Sequence, residues 1–153
     1  MSYAELICQS NFSFLQGASH PEELVQRAFE LNYSALAITD ECSVAGVVRA
    51  HSHIKENQLD IKLIIGSRFV FNHELELILI APTRKAYGEL CRVISNSRRR
   101  SEKGQYALSE WDLKSVTHCF CLWIPSTTPE HNAQWGEWLK KHYKNRLWIA
   151  AGR

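Results

Sequence analysis

The chain has 153 residues, 45% of them hydrophobic and 22% charged, which suits one soluble globular domain with a real core. Its net charge of +2 is too small to mark a nucleic-acid-binding protein by electrostatics alone. No apolar run approaches the roughly 18–20 residues that span a bilayer, and the stretch Met1 to Phe14 lacks the basic and apolar regions of a signal peptide.

In chain order, "AELIC" (residues 4–8) reads as a short first strand, and "QSNFSFLQGAS" after it as a polar loop. Ser19-His20-Pro21-Glu22 has the S-x-x-E form of a capping box with proline in the first turn. Leu24, Val25, Ala28, Phe29 and Leu31 follow at helical spacing, with Asn32 as the stop. "SALAITD" (34–40) is the second strand, and "VAGVVRAHSHIKEN" (44–57) the next helix. "IKLIIGSRFVF" (61–71) and "LELILIAP" (75–82) are β-rich, separated by a break at Asn72-His73. Thr83 caps a long helix that places Ala86, Leu90, Val93 and Ile94 on one face. "SEKGQYA" is a charged loop, and Ser109 caps a short turn at "EWDL". "HCFCLWIP" (118–125) is a strand, "NAQWGEWLKKHYK" (132–144) an amphipathic helix, and "RLWIAAG" (146–152) a last strand.

Strands alternate with helices and are continuous apolar runs, which predicts an α/β protein with a mainly parallel sheet covered by helices. Such a sheet is either closed into a barrel or open and doubly wound. The last strand reads either as an edge or as part of something longer than these residues.

The five cysteines, Cys8, Cys42, Cys91, Cys119 and Cys121, are odd in number and set mostly in apolar surroundings, as expected of reduced thiols in the cytoplasm. Cys119 and Cys121 lack a second ligand pair, so a structural zinc site is not expected. No Gly-rich phosphate loop and no G-x-S-x-G elbow is present. His51 and His53 are two apart on a predicted helix and so point to different sides, as solvated residues rather than a metal pair. Arg98, Arg99, Arg100 and Lys103 gather at a helix end, where they either complement the helix dipole or contact phosphate.

Residues 34–46, "SALAITDECSVAG", bring Asp40 and Glu41 to the C-terminal end of a strand, where α/β proteins place their chemistry. Hard divalent ions take carboxylate oxygens, and zinc and manganese sites add imidazoles. No histidine neighbours the strand ends at residues 7–9 or 40–42, so composition supplies a catalytic metal centre poorly.

The ordered segments "AELICQSNFSFLQGASHPEELVQRAFELNYSALAITDECSVAGVVRAH", "KLIIGSRFVF", "LILIAPTRKAYGELCRVISNSRRRSEKGQYALSEWDL" and "LWIA" resemble a PHP (polymerase and histidinol phosphatase) domain. They are most similar to the N-terminal region of bacterial C-family error-prone DNA polymerases. The resemblance implies a PHP-type (β/α)7-like barrel, incomplete at the C-terminus. It implies one partial PHP domain over 1–153, with the palm, fingers and thumb of the polymerase absent. Active relatives hold zinc, manganese or iron in a cleft at the strand ends, and the parent polymerase uses magnesium. Their first strand ends in H-x-H followed by a serine and an aspartate. Ile7, Gln9 and Asn11 stand at those ligand places here. The second strand's T-D-H reads Thr39-Asp40-Glu41, and Arg68 stands at the glutamate of the third strand's G-x-E. Ile7 has no donor atom, Gln9 is a weak neutral ligand, and Arg68 brings a fixed positive charge. Arg68 is expected either to pair with Asp40 or Glu41 or to point to solvent.

The implied role is a structural or partner-binding part of a translesion polymerase acting in damage-induced mutagenesis and DNA repair synthesis. On that reading the chain alone carries no catalytic residue and no cofactor, and does not polymerise DNA. Its partners are the rest of the polymerase, translesion-synthesis proteins and, through the parent enzyme, DNA. Two alternatives are a metal-dependent phosphoesterase or 3′-5′ exonuclease, and a stand-alone remnant acting as an interaction domain.

Overall fold

The computed structural model describes residues 3–151, and the chain divides into two compact units, Met1–Ser67 and Arg68–Arg153. The first unit holds β1 (Ala4–Glu5), α1 (Pro21–Glu30), β2 (Ala35–Ile38), α2 (Ala45–Glu56) and the start of β3 (Lys62–Phe71). β1 pairs parallel with β2 (Ala4 opposite Ala35), and β2 parallel with β3 (Leu36 opposite Leu63, Ile38 opposite Ile65). All four residues of β2 are buried, which is why it reads as an unbroken apolar run. The core joins Val25 and Ala28 of α1 and Val47 and Ala50 of α2 to Leu36, Ile38 and Ile61. Burying each of the larger aliphatic side chains contributes about 1.5–3 kcal/mol.

The start of α1 differs from the sequence expectation by one residue. His20, not Ser19, is the N-cap, and its backbone N–H donates to the Glu23 carboxylate at 2.8 Å. Pro21 decides this: proline is favoured at the first helical position, so the cap falls on the residue before it. Glu22 is thereby released to pair with Arg49 of α2, 2.6 Å away. Asn32, just past the helix, adopts a left-handed φ of 57° and ends it as expected. β1 is shorter than the predicted 4–8. α2 presents His51 to solvent, and His53 meets the Gln26 side chain of α1 at 3.2 Å, so the two imidazoles do not form a pair.

The second unit takes up the end of β3 and continues with β4 (Leu75–Ile80), α3 (Arg84–Arg99), α4 (Glu110–Lys114), β5 (Phe120–Ile124), α5 (Pro129–Tyr143), a 3₁₀ turn (Lys144–Arg146) and β6 (Leu147–Ile149). Asn72 and His73 both hold positive φ, 51° and 59°, the conformation of a tight hairpin turn between β3 and β4. β4 is antiparallel to β5 (Leu77 opposite Trp123), while β5 and β6 are parallel (Cys121 opposite Leu147). The parallel ladders β1–β2, β2–β3 and β5–β6 thus coexist with the antiparallel β4–β5 ladder.

Ala86, Leu90, Val93 and Ser97 form the buried stripe of α3, and Thr83 Oγ1 accepts the Ala86 N–H at 3.2 Å as its cap. Ser109 caps α4 reciprocally with Asp112: its Oγ accepts the Asp112 N–H at 3.2 Å and its own N–H donates to the Asp112 carboxylate at 2.9 Å. α5 begins at Pro129, ahead of the predicted Asn132. Gly152, the end of the predicted last strand, lies outside the described residues. All five cysteines are free, and burial pushes the thiols of Cys119 and Cys121 up to about 12. Among the described residues no helix is long and apolar enough to cross a membrane.

Candidate functional site

β2 ends by delivering Thr39 and Asp40, both fully buried, to the C-terminal end of the first unit's strands. Thr39 clasps the segment after β1. Its N–H donates to the Cys8 carbonyl at 2.7 Å, and its Oγ1 accepts the Cys8 N–H at 3.0 Å. That clasp sets residues 9–17 over Asp40. One carboxylate oxygen of Asp40 accepts the Ser10 N–H and the Ser13 hydroxyl, each at 2.7 Å. The other accepts the Ser10 hydroxyl, also at 2.7 Å. The Asp40 carbonyl takes the Ser67 hydroxyl at 2.8 Å.

Two glycines make this enclosure possible. A Cβ on Gly46, in the first turn of α2, would stand 2.9 Å from Asp40 Oδ2 and 3.1 Å from Ser10 Oγ. A Cβ on Gly17 would stand 2.0 Å from the Ser10 carbonyl oxygen. The bare helix turn and the bare loop backbone close on the carboxylate where side chains would hold them off.

The other ligand places of the first unit hold amides and apolar groups. Ile7 is 41% exposed, and its N–H donates to the Glu5 carboxylate. Gln9 Nε2 donates to Gln16 Oε1 at 3.1 Å and Ser13 Oγ at 3.4 Å. Asn11 Nδ2 meets His20 Nδ1 at 2.9 Å, and Asn11 Oδ1 is buried without a hydrogen-bond partner. Glu41 accepts a short bond from Gln16 Nε2, and its backbone N–H donates to Ser13 Oγ at 3.0 Å. Burial, with the negative charges of Glu5 and Asp40, pushes the Cys8 thiol up to about 11, which keeps it protonated and unreactive at neutral pH.

These residues do not fit the metal that active PHP relatives carry. Asp40 is the buried carboxylate, and both its oxygens are engaged, Oδ1 by an amide and a hydroxyl and Oδ2 by a hydroxyl. The remaining groups are neutral amides, an aliphatic side chain and a glutamate engaged by an amide. Among the described residues no group of three or more His, Cys, Asp or Glu could hold a metal ion. The sequence signals missed here were Ser10 and Ser13, whose spacing from Asp40 in the chain hid the contact, and His20, which sits beside Asn11.

In the second unit, Arg68 pairs with Glu76 of β4, Nη2 to Oε1 at 2.7 Å. The basic cluster divides. Arg100 forms a two-pronged pair with the buried carboxylate of Asp112. Arg98 donates to the Gln105 carbonyl at 3.2 Å and lies over the Tyr106 ring, 5.5 Å from its centre. Arg99 and Lys103 are exposed. Two of the four cations therefore pin the 101–107 loop to α3 and α4.

The chain spans about 15% of the length of curated relatives that it matches throughout. It is 63% identical over 153 residues to an error-prone DNA polymerase of Vibrio campbellii, covering 100% of the chain and 15% of that protein. It is 49% identical over 151 residues to one of Alkalilimnicola ehrlichii, covering 98% of the chain and 14% of that protein. A solved structure from Bifidobacterium adolescentis, assigned by name to the metal-dependent phosphoesterases, superposes with a TM-score of 0.50 at 21% identity. That superposition covers 64% of the chain and 34% of the other, and shows a shared fold. The PHP domain family profile matches residues 5–151, and the chain belongs to that family.

Proposed function

We propose that these residues are the N-terminal PHP region of an error-prone DNA polymerase, serving damage-induced mutagenesis and repair synthesis in the cytoplasm. In this reading the PHP site is degenerate and its role is structural or partner-binding. The observation that carries it is the 63% identity over all 153 residues to the Vibrio campbellii polymerase. The three hydrogen bonds that engage both oxygens of Asp40 support the noncatalytic part. The partners are then the rest of the polymerase and, through it, translesion-synthesis proteins and DNA. Magnesium chemistry belongs to the polymerase centre elsewhere in that protein, and these residues alone do not extend a primer.

Two measurements test this. Purified chain, analysed for zinc, manganese and iron, is expected to carry no stoichiometric metal and to leave a phosphodiester substrate intact with manganese or zinc added. Stoichiometric metal with hydrolysis abolished by Asp40→Ala would replace this reading with a phosphoesterase. Substituting these 153 residues for the matched region of the Vibrio campbellii polymerase is expected to give an active enzyme. An inactive chimera would sink the polymerase assignment.

A further inference from the structure

The loop between β1 and α1 turns its apolar side chains outward. Phe14 is 84% exposed and Leu15 90%, flanked in the chain by Phe12 at 39%. Leu15 also holds φ at 61°, a left-handed conformation that leucine rarely adopts. An apolar loop free to move would fold these side chains back. This one is braced on both sides of the tip. Ser10 and Ser13 are tied to Asp40, Gln16 to Glu41, and the Gly17 N–H to the Ser13 carbonyl at 3.0 Å. Gly17 itself lies flush on the Ser10 backbone. The buried Asp40 carboxylate thus anchors a braced turn with Phe14 and Leu15 at its apex.

We propose that the Phe14–Leu15 tip docks into an apolar pocket on the remainder of the polymerase polypeptide, a proposal that rests on the function given above. The matched region is 15% of the Vibrio campbellii protein, so most of that polypeptide lies outside it and is covalently joined to it. Tethering sets the effective concentration of such a surface near the millimolar range, so a small contact suffices. A braced tip has little freedom left to lose on docking. Charge selects against other occupants. Asn11 to Gln16, "NFSFLQ", holds no charged residue, and no lysine or arginine precedes Arg27. Phosphate backbones and anionic bilayers are both held chiefly by such cations.

The test is hydroxyl-radical footprinting, read by mass spectrometry at Phe14 and Leu15, in the chain alone and in the Vibrio campbellii chimera without DNA. Severalfold weaker labelling of both residues in an active chimera, independent of protein concentration, is expected. Phe14→Ser with Leu15→Ser should raise protease cleavage between this region and the rest of the chimera while leaving the unfolding midpoint of the isolated chain unchanged. Equal labelling in the chain and an active chimera overturns the docking proposal alone. So does protection that grows with protein concentration, which marks a second copy, or that appears only with DNA. An inactive chimera overturns the polymerase assignment and this proposal with it.

Discussion

Ser10 grips both oxygens of the Asp40 carboxylate, its N–H on one and its hydroxyl on the other, each at 2.7 Å. Ser13 adds a third donor at the same distance, so Asp40→Ala would strand three buried donors. Each stranded donor costs about 1–3 kcal/mol, so Asp40→Ala should lose at least about 3 kcal/mol. Ser13→Ala removes one donor to Asp40 together with the acceptor of the Glu41 N–H, and should lose about 1–3 kcal/mol. Urea unfolding checks both. A carboxylate kept only for metal would tolerate Asp40→Ala in metal-free buffer with little loss.

Gly17 and Gly88 make a matched pair of opposite sign. A Cβ at Gly17 would meet the Ser10 carbonyl carbon at 2.5 Å and its oxygen at 2.0 Å, and backbone there cannot yield while Ser10 holds Asp40. Gly17→Ala should therefore cost about 2 kcal/mol or more. Gly88, within α3, has nothing within 4 Å of its would-be Cβ. Gly88→Ala should raise stability by about 0.5–1 kcal/mol through helix propensity. Thermal midpoints moving in opposite directions are the expected result; a neutral Gly17→Ala would mean the loop is not closed as described.

The features legible in the sequence are those set by near neighbours. The α3 stripe of Ala86, Leu90 and Val93, the Thr83 and Ser109 caps, and the helical His51–His53 spacing depend on residues within a few positions of each other. The α1 cap was displaced because Ser19-x-x-Glu22 and His20-x-x-Glu23 overlap, and only the demand of Pro21 for the first helical position separates them. The Asp40 cage was not legible at all. It brings together residues about thirty positions apart through serines that pattern reading assigns to a polar loop. The Arg68–Glu76 pair was not read from the sequence for a related reason: the hairpin turn at Asn72-His73, which folds Glu76 back beside Arg68, rests on two residues in left-handed conformation that apolar patterning does not show.

Glu89 sets an acid limit for the second unit. Burial works to raise its carboxyl, but hydrogen bonds from the side chain and backbone of His118 and of Thr117 outweigh this and hold it at about 2, against an ordinary 4.5. A depressed carboxylate stabilises fully above its unfolded value, and the contribution disappears as pH falls from 4.5 toward 2. It amounts to roughly 3 kcal/mol at neutral pH. Glu89→Gln should flatten the stability–pH curve in that window and lower stability at pH 7. An unchanged acid limb in the variant would show that Glu89 does not carry it.

Arg100 and Arg99 are neighbours with opposite fates. Arg100 is paired to the Asp112 carboxylate, which is 2% exposed, and it also donates to the Ala107 carbonyl at 3.4 Å. Hydrogen bonding to Asp112 holds the Arg100 guanidinium above its ordinary range, while burial resists this less strongly. Arg100→Ala strands a carboxylate that otherwise relies on Ser109, so it should lower the thermal midpoint and loosen the 101–107 loop. Arg99→Ala and Lys103→Ala remove exposed charges and should leave the midpoint unchanged. The same variants separate architecture from phosphate binding. If the cluster served DNA, Arg99→Ala and Lys103→Ala would each flatten the salt dependence of DNA affinity in the full polymerase. If it serves the fold, stability alone responds, and only to Arg100 and, through its hold on Gln105, to Arg98.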